Sequence, residues 1–324
     1  MKRRDVLLSA GFAAALSAPA IADTWPDRPV RLVIPWPPGG GNDIVGRIVA
    51  ERLGQTLGRT VVVENRGGSN GVIGAEVVAK SRPDGYTLMF HSVTSHVVNP
   101  VVFPRLPYDT QRDFIPAAIL GYSPLAIIVN PALGIRSLAE LISRIREAPG
   151  TFNYASFGNG SAGHLAGELF KQRLGLDIVH VPYRGGGPAL TDTISGAIPM
   201  NFAGTNTSAS ALRGGLVVAL AVTGSRRSSI LPDVPTVDEA AGLTGFDMGV
   251  TYAVWAPAGT PDAIVDRVAA ECVKIMRDPV ALAPLRENGV EALPPMNAAE
   301  RAARVARETE VLTRVARESR VQID

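Results

Sequence analysis

Two stretches of the chain combine glycines with short polar residues in a way that could hold an anion. The first is Pro37-Pro38-Gly39-Gly40-Gly41-Asn42-Asp43. The second runs from Ser156 through Gly158, Asn159, Gly160 and Ser161 to His164. Each follows a β-branched or apolar run and opens a segment with helical spacing. A helix N-terminus presents unpaired N–H groups and the positive end of its dipole. Glycines let that backbone approach a ligand closely. Together they make an anion site that needs no Lys or Arg. Read one at a time, the same segments are also ordinary tight turns between strand and helix. Neither loop carries a phosphate fingerprint. Gly39-Gly40-Gly41 is not followed by Lys and Ser or Thr, and it lacks the later glycine of a dinucleotide loop. Glu64 gives weak support as a ribose partner.

Other chemistries find less support. Ser161 and His164 are close in sequence, but position 159 is Asn where a Gly-x-Ser-x-Gly elbow needs glycine. A triad assembled from distant segments stays open. His164 and Glu168 are four apart on one helical face, which suits two metal ligands. No third ligand accompanies them, and such a pair also suits a solvated surface. His91, His96 and His180 show no spacing that implies a joint role. Cys272 is the single cysteine, which excludes an internal disulfide and a Cys-paired zinc site. It falls on one stripe with Ile264, Val268 and Ile275, so it reads as a core thiol. No cofactor, no metal and no catalytic residue is expected.

The elements that must position these loops alternate in type. Val30-Arg31-Leu32-Val33-Ile34 reads as a strand. A helix then starts near Asn42, its expected N-cap, with Ile44, Val45, Ile48, Val49 and Leu53 on one face and Gly58 as its stop. Strands over 60–63 and 86–90 flank a helix over 71–80. This order argues for a parallel sheet with right-handed crossovers. The theme repeats with a strand over 126–129 and a capping box at Ser137 and Glu140. Strands follow over 153–156, 177–181 and 217–222, with helices after His164 and after Gly185-Gly186-Gly187-Pro188. Thr260 is read as an N-cap with Pro261 in the first helical position. Asn297 with Glu300 caps a charged final helix, whose charges read as a solvated face.

At 324 residues, with 46% hydrophobic and 19% charged side chains, the chain can bury a large core and suits two domains. Lys2, Arg3 and Arg4, an apolar run over 6–18 and the small residues Ala20 and Ala22 have the layout of a secretory signal peptide, residues 1–22, cut after Ala22. The run is too short for a spanning helix. Arg3-Arg4 leaves the choice between Sec and Tat export open. The net charge of +2 resides entirely in residues 1–22, so the remainder is neutral and offers no basic surface for nucleic acid or membrane.

Beyond these readings, the sequence resembles a known family. Ile34-Pro35-Trp36-Pro37-Pro38-Gly39-Gly40-Gly41-Asn42-Asp43 resembles the first ligand loop of the Bug-type solute-binding proteins of tripartite tricarboxylate transporters (TctC-like). The match continues through Val61-Val62-Val63-Glu64-Asn65-Arg66, Arg82-Pro83-Asp84-Gly85-Tyr86, Asn153-Tyr154-Ala155-Ser156-Phe157-Gly158-Asn159-Gly160-Ser161 and Val181-Pro182-Tyr183-Arg184-Gly185. Leu231-Pro232-Asp233-Val234-Pro235-Thr236 and Ala256-Pro257-Ala258-Gly259-Thr260-Pro261 extend it over nearly the whole chain after the leader.

The resemblance implies an α/β, two-lobed periplasmic binding protein of type II-like architecture. Each lobe is a mostly parallel sheet flanked by helices, joined by two crossover strands. Lobe 1 would take residues 23–123 and 253–324, and lobe 2 residues 124–252. It implies an extracytoplasmic receptor that binds a small organic carboxylate between the lobes and hands it to membrane permease subunits. Pro38, Gly39, Gly40 and Asp43 would serve the ligand from lobe 1, with Ser92 beside them. Ser156, Gly158, Asn159, Ser161 and His164 would serve it from lobe 2, with Thr205 or Asn206. Gly39 and Gly40 would expose backbone donors, while Asp43 would steady the helix start or orient a water. Monomer is the default state. A sensing receptor and an exported hydrolase are the alternatives. Trp36, Asn42 and the Ala203-Gly204 after Met200-Asn201-Phe202 depart from the pattern, which bears on ligand identity rather than fold.

Overall fold

The computed structural model describes residues 25–319 and Val321. The expected leader and its cleavage after Ala22 lie outside the described residues. The first strand, β1 (Val30–Ile34), is buried along its length except at Arg31, as a parallel strand covered on both faces should be. It pairs in parallel with β2 (Val61–Asn65) and β3 (Thr87–Ser92). Between them run α1 (Gly41–Leu57) and α2 (Val72–Ala79), and α3 (Val93–Val102) follows β3 directly.

The 16-residue strand β4 (Phe114–Val129) then leaves this half of the sheet. After α4 (Leu138–Glu147) the second half repeats the pattern. It contains β5 (Phe152–Ser156), α5 (Ala162–Leu174), β6 (Ile178–Pro182), α6 (Gly186–Ser195) and β7 (Met200–Gly204). Next come α7 (Thr205–Arg213), β8 (Val218–Val222) and α8 (Val237–Ala241). Strand β9 (Gly249–Pro257) returns to the first half. Helices α9 (Asp262–Arg277), α10 (Pro279–Glu287) and α11 (Ala298–Glu318), with the short β10 (Glu291–Ala292), finish the chain.

The sheet order is β2-β1-β3-β9-β4-β7-β5-β6, with β8 and β10 also on β4. Parallel trios thus sit at either end, and the antiparallel pair β4–β9 joins them. Strand β4 changes partners along its length: residues from Phe114 to Pro124 pair with β9, and those from Leu125 to Val129 pair with β7 and β8. Side chains such as Leu32, Phe90 and Trp255 fill one half, and Tyr154, Phe170 and Phe202 the other. Burying each is worth about 1.5–3 kcal/mol. Helix α1 lies on the sheet through Gly46, where a Cβ would stand 2.6 Å from Ile34 Cδ1. Gly167 does the same for α5 against the Tyr154 ring.

Several local readings need adjustment. Helix α1 starts two residues early: Gly40 is its extended N-cap, and Ile44 N–H already bonds Gly40 O at 3.0 Å, so Asn42 is helical. Pro261, not Thr260, stands at the N-cap of α9, while the Thr260 hydroxyl donates to Pro257 O at 2.8 Å. Ser137 caps α4, but Glu140 reaches back to Arg136 N rather than closing a reciprocal box. At α11 both bonds of the Asn297–Glu300 box are present. Cys272 is buried with Ile264, Val268 and Ile275, and that burial pushes its thiol up to about 12.

Candidate functional site

Helix starts identify the site. Six of the eleven helices among the described residues have a side-chain cap: Ser92, Ser137, Ser161, Thr236, Asp278 and Asn297 accept N–H bonds from the first turns of α3, α4, α5, α8, α10 and α11. Helices α1, α6 and α7 instead begin at Gly40, Gly185 and Gly204, which have no side chain to cap with. All three starts line one small cavity between the two halves of the sheet. Gly40, Gly41 and Asn42 come from one half; Gly185, Gly186, Gly204, Asn206 and Thr207 come from the other. Trp36, Pro37, Phe157, Val250 and Tyr252 complete the wall, and no ionised side chain is among its lining residues. The first turns of α6 and α7 hold no acidic residue, and Asp43 in the first turn of α1 is already paired with Arg47, so the uncharged lining favours an anion.

Side chains finish the donor set. Asn206 Oδ1 accepts from Thr207 N at 2.8 Å, and Asn206 Nδ2 donates to the Tyr252 hydroxyl at 2.6 Å. The Tyr252 oxygen is thereby an acceptor, so its own proton is free to donate. Burial pushes that hydroxyl far above its ordinary value, which keeps it protonated. Asn42 is 7% exposed, and its Oδ1 has no partner.

The loop before α1 is held from behind. Asp43 accepts from Gly39 N at 2.9 Å, from Arg47 Nε at 2.9 Å and from Asn65 Nδ2 at 2.8 Å. Asn65 Nδ2 also donates to Trp36 O at 3.0 Å. Burial raises the Asp43 carboxyl, but the bonds from Arg47, Gly39 and Asn65 outweigh it and hold the group below the usual carboxylate range. The N–H of Gly39 is therefore consumed inside the loop and is not the free donor the sequence suggested, because Asp43 reaches it first.

The second loop is also internally bonded. Ser156 Oγ accepts from Gly158 N at 3.2 Å and lies 2.7 Å from His180 Nε2. Ser161 is fully buried and caps α5 through His164 N, and His164 Nδ1 accepts from Gly160 N at 3.1 Å. A larger chamber lies outside the inner cavity, sharing Trp36, Pro37 and Phe157 with it. Pro38, Gly158, Asn159 and Arg184 line this outer chamber.

Of the residues singled out from sequence, Gly40 and Asn206 line the inner cavity, and Pro38, Gly158 and Asn159 the outer one. Gly39, Asp43, Ser92, Ser156, Ser161, His164 and Thr205 line neither. Ser92 caps α3 through Ser95 N at 3.3 Å. Thr205 Oγ1 is buried against Ser123 Oγ at 2.9 Å and Pro124 O at 3.1 Å, where β4 changes partners. Their polar atoms are spent on caps and loop bonds, which is why they do not face the cavity. Gly185, Gly186, Gly204, Thr207, Phe157 and Tyr252 also line the inner cavity, and none of them stood among the ligand contacts expected from sequence. Gly185-Gly186-Gly187 before a helix carried the same signal as Gly39-Gly40-Gly41; Tyr252 carried none. His164 and His180, without meaningful spacing in sequence, stack with ring centroids 3.7 Å apart.

The two halves touch over the cavity. Trp36 meets Phe157 edge-on at 6.1 Å. Gly41 packs against Asn206, Gly185 against Pro37, and Gly160 against Val102 and Asn70.

This arrangement has relatives. The model of a family described as the tripartite tricarboxylate transporter family receptor matches residues 45–318. The chain belongs to this receptor family. The UPF0065 protein of the tcbD–tcbE intergenic region of Pseudomonas sp. (strain P51) is 38% identical over 293 residues, 89% of this chain and 86% of that protein. Protein BugT of Bordetella pertussis is 39% identical over 253 residues, 78% of this chain and 77% of BugT. Among solved structures, R. palustris Rpa4515 with adipate is 33% identical with a TM-score of 0.88, covering 92% of this chain and all of that one. Periplasmic binding protein BugD is 31% identical with a TM-score of 0.85, over 92% of this chain and all of BugD. MatC from Rhodopseudomonas palustris with bound malate is 31% identical with a TM-score of 0.83, over 90% and 99%. Like these receptors, the chain has the two-lobed α/β fold of periplasmic solute-binding proteins, with β4 and β9 as its crossover strands.

Proposed function

We propose that this receptor binds a small organic carboxylate in the inner cavity and delivers it to permease subunits of the tripartite tricarboxylate type. The observation that carries the reading is the convergence of three glycine-capped helix starts on a cavity without ionised side chains. A carboxylate would take backbone N–H groups from α1, α6 and α7 and the Tyr252 proton. The acids named with Rpa4515 and MatC, adipate and malate, belong to the same ligand class. Lobe 1 would comprise residues up to 123 and from 253, and lobe 2 residues 124–252. The donors come from both sides, so the full set is assembled only when the lobes are closed, and that difference would drive closure. Export to the periplasm and action as a monomer complete the proposal.

Chemistry on the ligand finds no support in the geometry. Ser156 Oγ and His180 Nε2 lie at a nucleophile–base distance, but Ser156 is fully buried and its hydroxyl donates to Gly158 O at 3.1 Å. The test is a thermal-shift screen after unfolding and refolding to strip carried-over ligand. Mono-, di- and tricarboxylates are each paired with their amides. An acid at about 100 times its Kd should add about 2.7 kcal/mol of stability, and its amide none. A shift from amides alone, or from none of the acids, would remove the carboxylate reading.

A further inference from the structure

The loop over 157–160 leaves β5 at Ser156, the last residue paired with β6, and supplies Phe157 to the cavity wall. Behind it stand two imidazoles. His164, in the first turn of α5, accepts Gly160 N–H on Nδ1 at 3.1 Å. His180, on β6, holds Ser156 Oγ with Nε2 at 2.7 Å, and Ser156 Oγ in turn accepts Gly158 N–H. The rings are stacked, with centroids 3.7 Å apart and planes 11° from parallel. We propose that His164 and His180 act as a stacked pair of positioning residues that set the ligand-binding shape of this loop through Gly160 and Ser156, without touching the ligand. The inference deepens the reading of the cleft as a ligand site and rests on it.

The pair works in its neutral form. A proton on His164 Nδ1 would face the Gly160 N–H and remove its acceptor, and a charge on either ring would lie against its stacked neighbour. Burial lowers His164 to about 4, and burial with the His164 ring beside it lowers His180 to about 3. The charged and titratable groups around them are Lys171 and Glu168, paired at 3.9 Å, and Tyr154, whose hydroxyl donates to Glu168 Oε1 at 2.7 Å. Lys171 opposes a second positive charge there. The loop should therefore hold its shape at neutral pH and loosen as the pH falls toward 4.

The test compares His164→Phe and His180→Phe, which keep a flat ring and lose the nitrogen contact, with His164→Asn and His180→Gln, which restore a polar atom near Nδ1 or Nε2. In the ligand-free protein, amide exchange read by NMR should show at least tenfold loss of protection at Gly158 or Gly160 in the Phe variants and little change in the Asn and Gln variants. Unchanged protection in both Phe variants would overturn the proposal. With malate and adipate as probes, the Phe variants should bind at least tenfold more weakly, and the restoring variants within about threefold of wild type. The double variant His164→Asn/His180→Gln should lose less affinity than wild type between pH 7 and 3.5, a range that reaches the pH at which His164 charges. Protonation of the probe is common to both proteins and cancels in that comparison. Equal pH profiles, or Asn and Gln variants as weak as the Phe ones, would also overturn it. Loss of loop protection in the Phe variants, with no acid bound by wild type, would count against the carboxylate reading and leave the pair's role standing.

Discussion

At the scale of single residues, the hydroxyl of Tyr252 joins fold and ligand. It accepts from Asn206 Nδ2 and retains one proton that points to no other acceptor among the described side-chain bonds. Tyr252→Phe removes the donor to the ligand and leaves a buried amide without its acceptor, which costs about 1–3 kcal/mol. The expected result is at least tenfold weaker acid binding by titration calorimetry, with a modest fall in melting temperature. Full affinity in the Phe variant would take Tyr252 out of the site. This residue shows where a sequence stops being legible. Gly40 stood out because glycine before a helix start has a local meaning. Tyr252 reaches the cavity through a partner 46 positions away, and nothing local marks it. Ser161 is ambiguous in the opposite sense: a serine before a helix suits a ligand contact and a cap equally, and the structure shows it buried as the cap of α5.

At the scale of elements, the same ambiguity becomes a design rule within the chain. Away from the inner cavity, Ser, Thr, Asp or Asn caps six helix starts, while α2 begins at Gly71 and α9 at Pro261; at the three starts that face the cavity, glycine supplies no side-chain cap. Gly40→Asp tests this directly. Gly40 has φ −80°, and a Cβ there would meet only Pro37 O at 3.6 Å, so the residue fits. An aspartate N-cap is better than glycine by a few tenths of a kcal/mol, so stability should hold or rise slightly. Its carboxylate would occupy the N–H groups and repel an acid, so binding should fall at least a hundredfold. An Asp variant that still binds acid would disconnect α1 from the ligand. The alternating strands and helices of both halves were legible from periodicity. Helices α3, α7, α8 and α10, strands β7 and β9 and most of β4 were not. Strand β4 carries Pro116, Gly121 and Pro124, which read as breakers, and only its partners β9 and β10 show that its shifts in register accommodate them.

At the scale of the whole molecule, the connection between halves depends on residues far apart in sequence, and so does the response to acid. All four histidines of the chain are shifted down, mainly by burial. His91 lies well below its ordinary value, His96 and His164 fall to about 4, and His180 to about 3. His96 shows the cause. Its Nε2–H meets Thr110 O at 3.0 Å, and its bare Nδ1 is enclosed among Trp255, Phe114 and Tyr108 with no partner for a second proton. In the unfolded chain each histidine takes up a proton below about pH 6.5. The folded chain refuses it until pH 4 or lower, so the unfolded state binds more protons across that window and stability falls as pH drops. Each histidine contributes a slope of about 1.4 kcal/mol per pH unit, and four together make the fall steep. The lowered carboxyls Asp43 and Glu64 lose their stabilising effect only below about pH 4, so the two effects separate. Denaturant unfolding at pH 7.5, 6.0 and 5.0 should show stability level at first and then dropping by several kcal/mol. His96→Gln keeps a donor for Thr110 and removes one titrating ring, so its slope should be smaller by about 1.4 kcal/mol per unit. Equal stability at pH 7.5 and 5.0 would mean that the histidines do not stay neutral in the folded protein, and the neutral state required of the His164–His180 pair would fall with them.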